Sequence, residues 1–359
     1  MIFLLKNEIL QNASIYKNNL EFILESFYRG EHIVDFESFA LVNEVLAVFN
    51  GNTNIMKAIN YYKSKRQDIK SLRKQVEQYV EVGLAGFSII NSGNQKIVNL
   101  PIAYFVKELS PVMILSENMQ DCTFYISMFY NAKYFKVYSI PEQVKLMFDF
   151  DNGGGCGTDK MLEYRIQQGR TVLCIVDSDK ITAASTLTGT PDTVQTKFNS
   201  LSTIPKIADI YILNVREKEN LIPPKLYRQF EDFVNYDLIN HLSGFHGTEN
   251  EELLGYVKIS DKTPEKLKTK NDLIFDKLSL TSTMRGIGKD GLTKFATNKI
   301  YTEELANHPQ MIISYDIKIS NQNVINIFQD TPEYLQDDYK NIISKIYAFA
   351  CSLGKIRIS

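Results

Sequence analysis

The residues with most chemical content are Val176-Asp177-Ser178-Asp179, where alternate positions leaving an apolar run present two carboxylates to one cation. Further acidic residues fall in two matching places. Glu117 follows the apolar run Val112-Met113-Ile114-Leu115, and Arg216-Glu217-Lys218-Glu219-Asn220 follows the apolar run from Ile207 to Val215. Carboxylates brought together this way repel one another unless cations join them. Oxygen donors suit Mg²⁺ or Mn²⁺ rather than Zn²⁺. The four histidines (His32, His241, His246, His308) lie outside these segments, and no pair among Cys122, Cys156, Cys174 and Cys351 has CxxC spacing. A phosphate ligand would find backbone N–H groups in the glycine-rich loop Asp151 to Thr158, at Gly153, Gly154 and Gly155. It would find positive charge at Arg285 and Lys289 in Met284-Arg285-Gly286-Ile287-Gly288-Lys289-Asp290-Gly291. Each feature also has a plain reading: Asp-x-Asp as a polar turn after a strand, and the two glycine stretches as mobile turns.

Positioning these residues takes strands that end together. Val112–Leu115, Phe135–Ile140, Thr171–Val176 and Ile207–Val215 are apolar runs of strand length, with helical spacing near 119–132 and 158–168 between them. That alternation predicts a mostly parallel sheet flanked by helices, with ligands at the carboxyl ends of its strands. Residues 1–105 read as mainly helical, with Ile69, Leu72, Val76 and Tyr79 on one face of a helix. Lys57, Lys63, Lys65, Arg66, Lys70, Arg73 and Lys74 form a basic face there, suited to a phosphate backbone or simply to solvent. After Pro223-Pro224 a helix carrying Leu226, Phe230, Phe233 and Val234 is expected, then a lysine-rich loop over 258–270. The last helix is expected from Thr331-Pro332 to before Gly354, with Ile342, Ile343 and Ile346 as its apolar stripe. The expected division is a helical region over 1–105, an α/β core over 106–222 and a mixed α+β extension over 223–359.

A chain of 359 residues, 44% hydrophobic and 23% charged, can bury a core without disulfides and has no compositional bias to disorder. Lys6 and Glu8 interrupt the apolar start Ile2–Leu5 before a signal core or membrane span could form, so a cytoplasmic location and no membrane partner are expected. A net charge of −2 and a pI near 6.2 give no global attraction to a polyanion.

The pattern over 111–222 resembles the TOPRIM fold of topoisomerases, bacterial primases and the overcoming-lysogenisation-defect nucleases. In that family a glutamate ends the first strand and an Asp-x-Asp ends a later one, matching Glu117, Asp177 and Asp179. Ser116-Glu117-Asn118-Met119-Gln120-Asp121 looks like the Glu-Gly-x-x-Asp opening of the nuclease branch, with Asp121 as its second acid and Asn118 in the glycine's place. Gly153 to Gly155 resemble the family's glycine loop, and Arg216 to Pro223 the segment that supplies a further glutamate, with Glu219 matching better than Glu217. Lys289 resembles the downstream lysine of that branch.

The resemblance implies phosphodiester hydrolysis with one or two metal ions, two being the expectation. Glu117, Asp177 and Asp179 would be the main ligands, with Asp121, Glu217 and Glu219 completing a second position. No zinc-binding cysteine set points to a primase, and no tyrosine motif to a topoisomerase. The resemblance also implies a bacterial anti-phage effector acting on DNA or RNA. Because no GxxxxGK[ST] loop is present, a separate ATPase or sensor partner is expected. A homo-oligomer stays open. Two other readings compete: a metal-dependent phosphatase or nucleotidyl enzyme on small molecules, although Asp177-Ser178-Asp179-Lys180-Ile181 lacks the threonine of Asp-x-Asp-x-Thr, and a non-catalytic assembly module.

Overall fold

In the second half of the core, strand residues sort by parity. Val112 and Ile114 pack into one apolar layer while Met113 and Leu115 pack into another, as side chains alternating across a pleated strand must. The same split holds for Leu173 and Ile175 against Val172, Cys174 and Val176. A strand with both faces apolar needs helices on both sides. The structure, a computed structural model, describes residues 1–233, 236–260, 271–281, 283–288, 290–308, 311 and 319–356.

Two principal sheets result. The first combines β1 (Ile2–Leu5), β2 (Ile33–Phe36), β3 (Gln78–Gly83), β4 (Ser88–Ser92) and β5 (Gln95–Pro101) in the order β2-β1-β3-β5-β4, parallel except for the β4–β5 hairpin. Helices α1 (Lys17–Tyr28), α2 (Phe39–Val48) and α3 (Thr53–Gln75) belong to this part. The second sheet contains β6 (Val112–Ser116), β8 (Phe148–Asn152), β9 (Val172–Val176) and β10 (Ala208–Ile212), all parallel, in the order β10-β9-β6-β8. A minor pair joins β7 (Lys145–Leu146) to β11 (Cys351–Ser352). Helix α4 (Met119–Tyr134) covers one face of the second sheet, and α5 (Thr158–Gln167) and α6 (Thr190–Ser200) cover the other.

The C-terminal helix (Glu333–Ala350) buries Ile342, Ile343 and Ile346 as expected. It also links the sheets, because Lys345 Nζ lies 2.7 Å from Asp209 at the start of β10 and 3.5 Å from Glu77 beside β3. One apolar core runs through all three sequence ranges. Among the described residues, no helix is long and apolar enough to cross a membrane.

Several local expectations change. Residues 1–105 do carry three α-helices, but they also form five strands, so the region is α/β rather than mainly helical. β1 and β2 are four-residue strands buried throughout, so they show no alternation to read. Helix α3 stops at Gln75, with Val76 as its C-cap, and Tyr79 lies in β3 between two parallel neighbours rather than on the helix face. The basic run is partly structural: Arg73 Nε is 2.8 Å from the buried Asp35, and Lys63 and Arg66 lie over the Phe39 ring.

The run Phe135–Ile140 is no strand. It is a short 3₁₀ turn with Lys136, Tyr138 and Ser139 at positive φ, largely exposed, whereas Phe148, buried in β8, anchors the true second strand. After Pro223 the expected helix breaks into a turn at Pro224–Tyr227 and a 3₁₀ turn at Glu231–Phe233. Val234 and residues 261–270 of the lysine-rich stretch lie outside the described residues.

Asp338, fully buried on the C-terminal helix, accepts hydrogen bonds from Tyr211 Oη at 2.6 Å, Asn214 N at 2.8 Å and Val215 N at 3.1 Å. It thereby fixes the chain as it leaves β10. Asp338→Ala strands two backbone N–H groups and a phenol, and should lower unfolding stability by about 2–4 kcal/mol in urea titration. A change under about 0.5 kcal/mol would mean that the loop finds other partners.

Candidate active site at the carboxyl ends of β6 and β9

Counting from β6, the order of the second sheet is 2-1-3-4, so the winding reverses between β6 and β9. At such a reversal the outgoing loops diverge and leave a crevice outside the strand ends. Glu117 follows β6 and Asp177 follows β9 there. The pair is held in register by Leu115 opposite Cys174 and by Ser116 Oγ donating to the Ile175 carbonyl at 2.6 Å.

Each acidic residue is placed by local chemistry. Asn118 is extended, with φ −146°, so it needs none of glycine's freedom, and its side chain caps α4 by accepting from Asp121 N at 3.1 Å. Asp121 Oδ2 accepts in return from Asn118 N at 3.2 Å, a reciprocal capping box that turns Asp121 inward. Asp177 Oδ1 accepts from Lys218 N at 2.9 Å. The N–H groups of Ser178 and Asp179 both donate to the Arg216 carbonyl, at 3.1 and 3.0 Å. Asp179 is exposed with φ +54°, a left-handed conformation that Asp tolerates better than most residues.

The glycine loop does other work than expected. Gly153 N donates to the Ser116 carbonyl at 2.8 Å, and Gly154 N and Gly155 N donate to the Glu117 carbonyl at 3.1 and 3.2 Å. These N–H groups are engaged in tying down the end of β6, so they are not free for a phosphate. Glycine is required for this: Gly154 and Gly155 have φ of +69° and +66°, and a Cβ on Gly153 would sit 2.2 Å from Thr158 Oγ1.

The charges are compact. Lys218 Nζ lies 2.7 Å from Asp121 Oδ1 and 3.5 Å from Glu219 Oε1, with all three side chains nearly buried. Burial and the neighbouring carboxylates Asp179 and Asp121 push Glu117 up to about 7. Burial and Glu217 do the same for Glu219, again to about 7. Burial raises Asp177 well above the usual carboxylate range against the pull of Lys218. Lys218 itself is raised by Glu219, Asp121 and Asp177, which outweigh its desolvation. One oxygen of Glu117 and the hydroxyl of Tyr125 are buried without a hydrogen-bond partner, and Tyr125 feels Asp177, Asp121 and Glu117.

The expected acids Glu117, Asp121, Asp177, Asp179 and Glu219 are therefore close enough to act on one another. Glu217 differs. It is buried against Lys258 Nζ at 2.5 Å and accepts from Ser260 N and Oγ at 3.2 and 3.1 Å, which leaves it a structural ion pair rather than a free ligand. Among the described residues, no three carboxylate, imidazole or thiolate groups surround a common point at which they could hold a metal ion. Arg285 is exposed on a stretch tied to the 257–260 segment by Ile287 N donating to the Ile259 carbonyl at 2.8 Å. Lys289 lies outside the described residues. The histidines make structural contacts elsewhere, as in His32 to the Ser110 carbonyl at 3.0 Å and His241 to the Leu278 carbonyl at 2.7 Å.

Lys218, Tyr125 and Lys258 join the cluster without standing out as site residues in the sequence. Tyr125 could have been found from its spacing, one helical turn after Asp121 and so on the same face of α4. Lys218 could have been found from its place between two glutamates. No protein-family model matches this chain, and no curated protein or solved structure is similar enough to it to count as a match.

A pH dependence follows. Glu117 and Glu219 hold protons up to about 7 when folded, whereas an unfolded chain releases them near 4.3. Over that interval the folded protein binds more protons, so stability falls as pH rises from about 4.3 to about 7 and then levels off. Thermal melts in a chelator should show this decline, and Glu117→Gln should lessen it while Glu219 still contributes. A midpoint that is constant over the interval in the unsubstituted protein would contradict the assignment.

Proposed function

We propose that this chain is a metal-dependent nuclease of the TOPRIM type, hydrolysing phosphodiester bonds of DNA or RNA. The observation that carries the reading is the meeting of Glu117 and Asp177 at the winding reversal of a parallel four-stranded sheet, with Asp179 and Asp121 beside them. The donor set suits a hard cation: all its groups are carboxylates, and Glu117 keeps a buried oxygen without a partner. Mg²⁺ and Mn²⁺ sites commonly use one or two protein carboxylates and complete their shell with water, so a preformed three-residue cage is not required. Held by one or two of Glu117, Asp177 and Asp179, with water completing its shell, such an ion would supply a more acidic water and charge compensation for a phosphate.

The chain's own groups would do the rest. Glu117, raised toward neutrality by its burial, is suited to exchange a proton near pH 7. Lys218 holds Asp121 and Glu219 in place by its ion pairs. Arg285 and Lys289 remain our proposed phosphate contacts; of the described residues between them, Ile287 donates its N–H to the carbonyl of Ile259, the neighbour of Lys258. In keeping with the family likeness, we place the protein among anti-phage effectors that work with a separate ATPase or sensor.

One observation favours a different reading, that of a non-catalytic assembly module: Lys218 and Lys258 already compensate part of the buried negative charge without a metal ion. Cleavage separates the two. Purified protein should cut at least one of plasmid DNA, single-stranded DNA and tRNA in Mg²⁺ or Mn²⁺. An Asp177→Ala, Asp179→Ala double variant should lose at least about 100-fold of that rate. Absence of cutting on all three substrates, with the natural partner supplied, would favour the assembly reading or a small-molecule substrate.

A further inference from the structure

Where the 3₁₀ turn Glu251–Tyr256 meets the first turn of the C-terminal helix, a cavity of about 450 Å³ opens to solvent. Five carboxylates line it, Glu249, Glu251 and Glu252 from one side and Glu333 and Asp337 from the other. Among the described residues no lysine or arginine lines it. Glu251 has a partner in His246, 3.0 Å away, but none of the other four is in an ion pair with a described residue. Exposed carboxylates alone would need nothing but water.

Two tyrosines set this surface apart. Tyr256 lines the cavity and is only 7% exposed, yet its hydroxyl makes no hydrogen bond within the protein. Burial, then Glu252 and Asp338, push it up to about 12, so the hydroxyl is neutral near pH 7 and offers a lone pair as well as a proton. Tyr334 lines the same cavity with a buried hydroxyl that also lacks a partner, and the carboxylate of Glu251 bears on it. Buried tyrosine hydroxyls ordinarily find a partner, so two without one at a single cavity point to a ligand.

The surrounding charge says what that ligand is. An anion would be repelled. A small divalent ion needs oxygens gathered round one point, and no three of these carboxylates surround such a point. Positive charge spread along a flexible chain suits negative charge spread around a cavity. Ammonium groups donate charge-assisted hydrogen bonds to carboxylates and to a neutral hydroxyl, while the methylenes between them lie along tyrosine rings. The volume is that of a small-molecule site.

We propose that this cavity binds a linear aliphatic polyamine, with ammonium groups on Glu252, Glu333 and Asp337 and one of them on the Tyr256 hydroxyl. Asn214 also lines the cavity, and its N–H is held by Asp338, the neighbour of Asp337. A bound polyamine thus ties the 249–256 segment to the C-terminal helix at the place where that helix holds the chain leaving β10. It does so whether or not the acidic crevice hydrolyses phosphodiesters.

Spermine titrated into the full-length protein at about 0.15 M salt, followed by calorimetry, should bind at one site per chain and raise the thermal unfolding midpoint. A Glu252→Gln, Asp337→Asn double variant, changed at two exposed positions, should weaken binding about 10-fold or more. Tyr256→Phe, which keeps the ring, should weaken it about threefold. A Glu44→Gln, Glu142→Gln pair removes the same charge from positions that do not line the cavity, and should leave binding unchanged. Equal weakening by both pairs would mean that spermine answers to net charge, and would overturn the proposal, as would no binding at millimolar spermine. Tetralysine binding as tightly as spermine would also overturn it, in favour of a basic segment of a protein partner. If Tyr256→Phe does not fold, by circular dichroism, the two charge pairs still decide.

Discussion

Negative charge taken out of water has to be compensated, and much of this molecule is arranged around that constraint. Glu117, Asp121, Asp177 and Glu219 lie close together in a partly buried space, where an uncompensated carboxylate is far more costly than at the surface. The chain meets the cost in three ways. It places the Lys218 ammonium between two of the acids, it lets Glu117 and Glu219 retain protons up to about 7, and it directs backbone N–H groups at the others, as Lys218 N does for Asp177. The elements around the cluster serve these ends. Helix α4 exists at its observed register because Asn118 and Asp121 cap each other, and the glycine loop is bent back to hold the Glu117 carbonyl.

Charge also joins the two sheets. Asp209 would be another buried acid at the base of β10, and Lys96 from β5 and Lys345 from the C-terminal helix both reach it, at 3.1 and 2.7 Å. Here the balance falls the other way from Glu117. Two cations outweigh desolvation and hold Asp209 below its ordinary value, so it stays ionised. One carboxylate is kept charged for architecture while others, a few strands away, are left poised near neutrality.

How much of this the sequence disclosed depends on how locally each feature is encoded. β6, β9 and β10 were legible because each is a short apolar run closed by polar residues, and the order of acids at their ends was legible for the same reason. β8 was not, since Phe148-Asp149-Phe150-Asp151-Asn152 is an edge strand whose aspartates are compensated by Arg170 and Arg165 from elsewhere in the chain. The first sheet was missed because its central strand β1 is four buried residues that gain their identity only from parallel neighbours at 33–36 and 78–83. Within the site, residue types were readable but allegiances were not. Nothing in Arg216-Glu217-Lys218-Glu219 says that Glu217 turns to Lys258 while Lys218 turns to Asp121, because those partners are 41 and 97 positions away.

The reach of Asp338 carries a consequence for the order of events in a cell. The chain leaving β10 carries Glu217, Lys218 and Glu219, and the N–H groups of Asn214 and Val215 are received by a carboxylate more than a hundred positions later. While the protein is being synthesised from its amino terminus, the two sheets can pair as soon as their strands have emerged, but these two N–H groups lack their carboxylate until the helix Glu333–Ala350 has left the ribosome. The acidic crevice is thus completed only after that helix has emerged, and a nascent chain that stalls before it carries the right acids in the wrong arrangement.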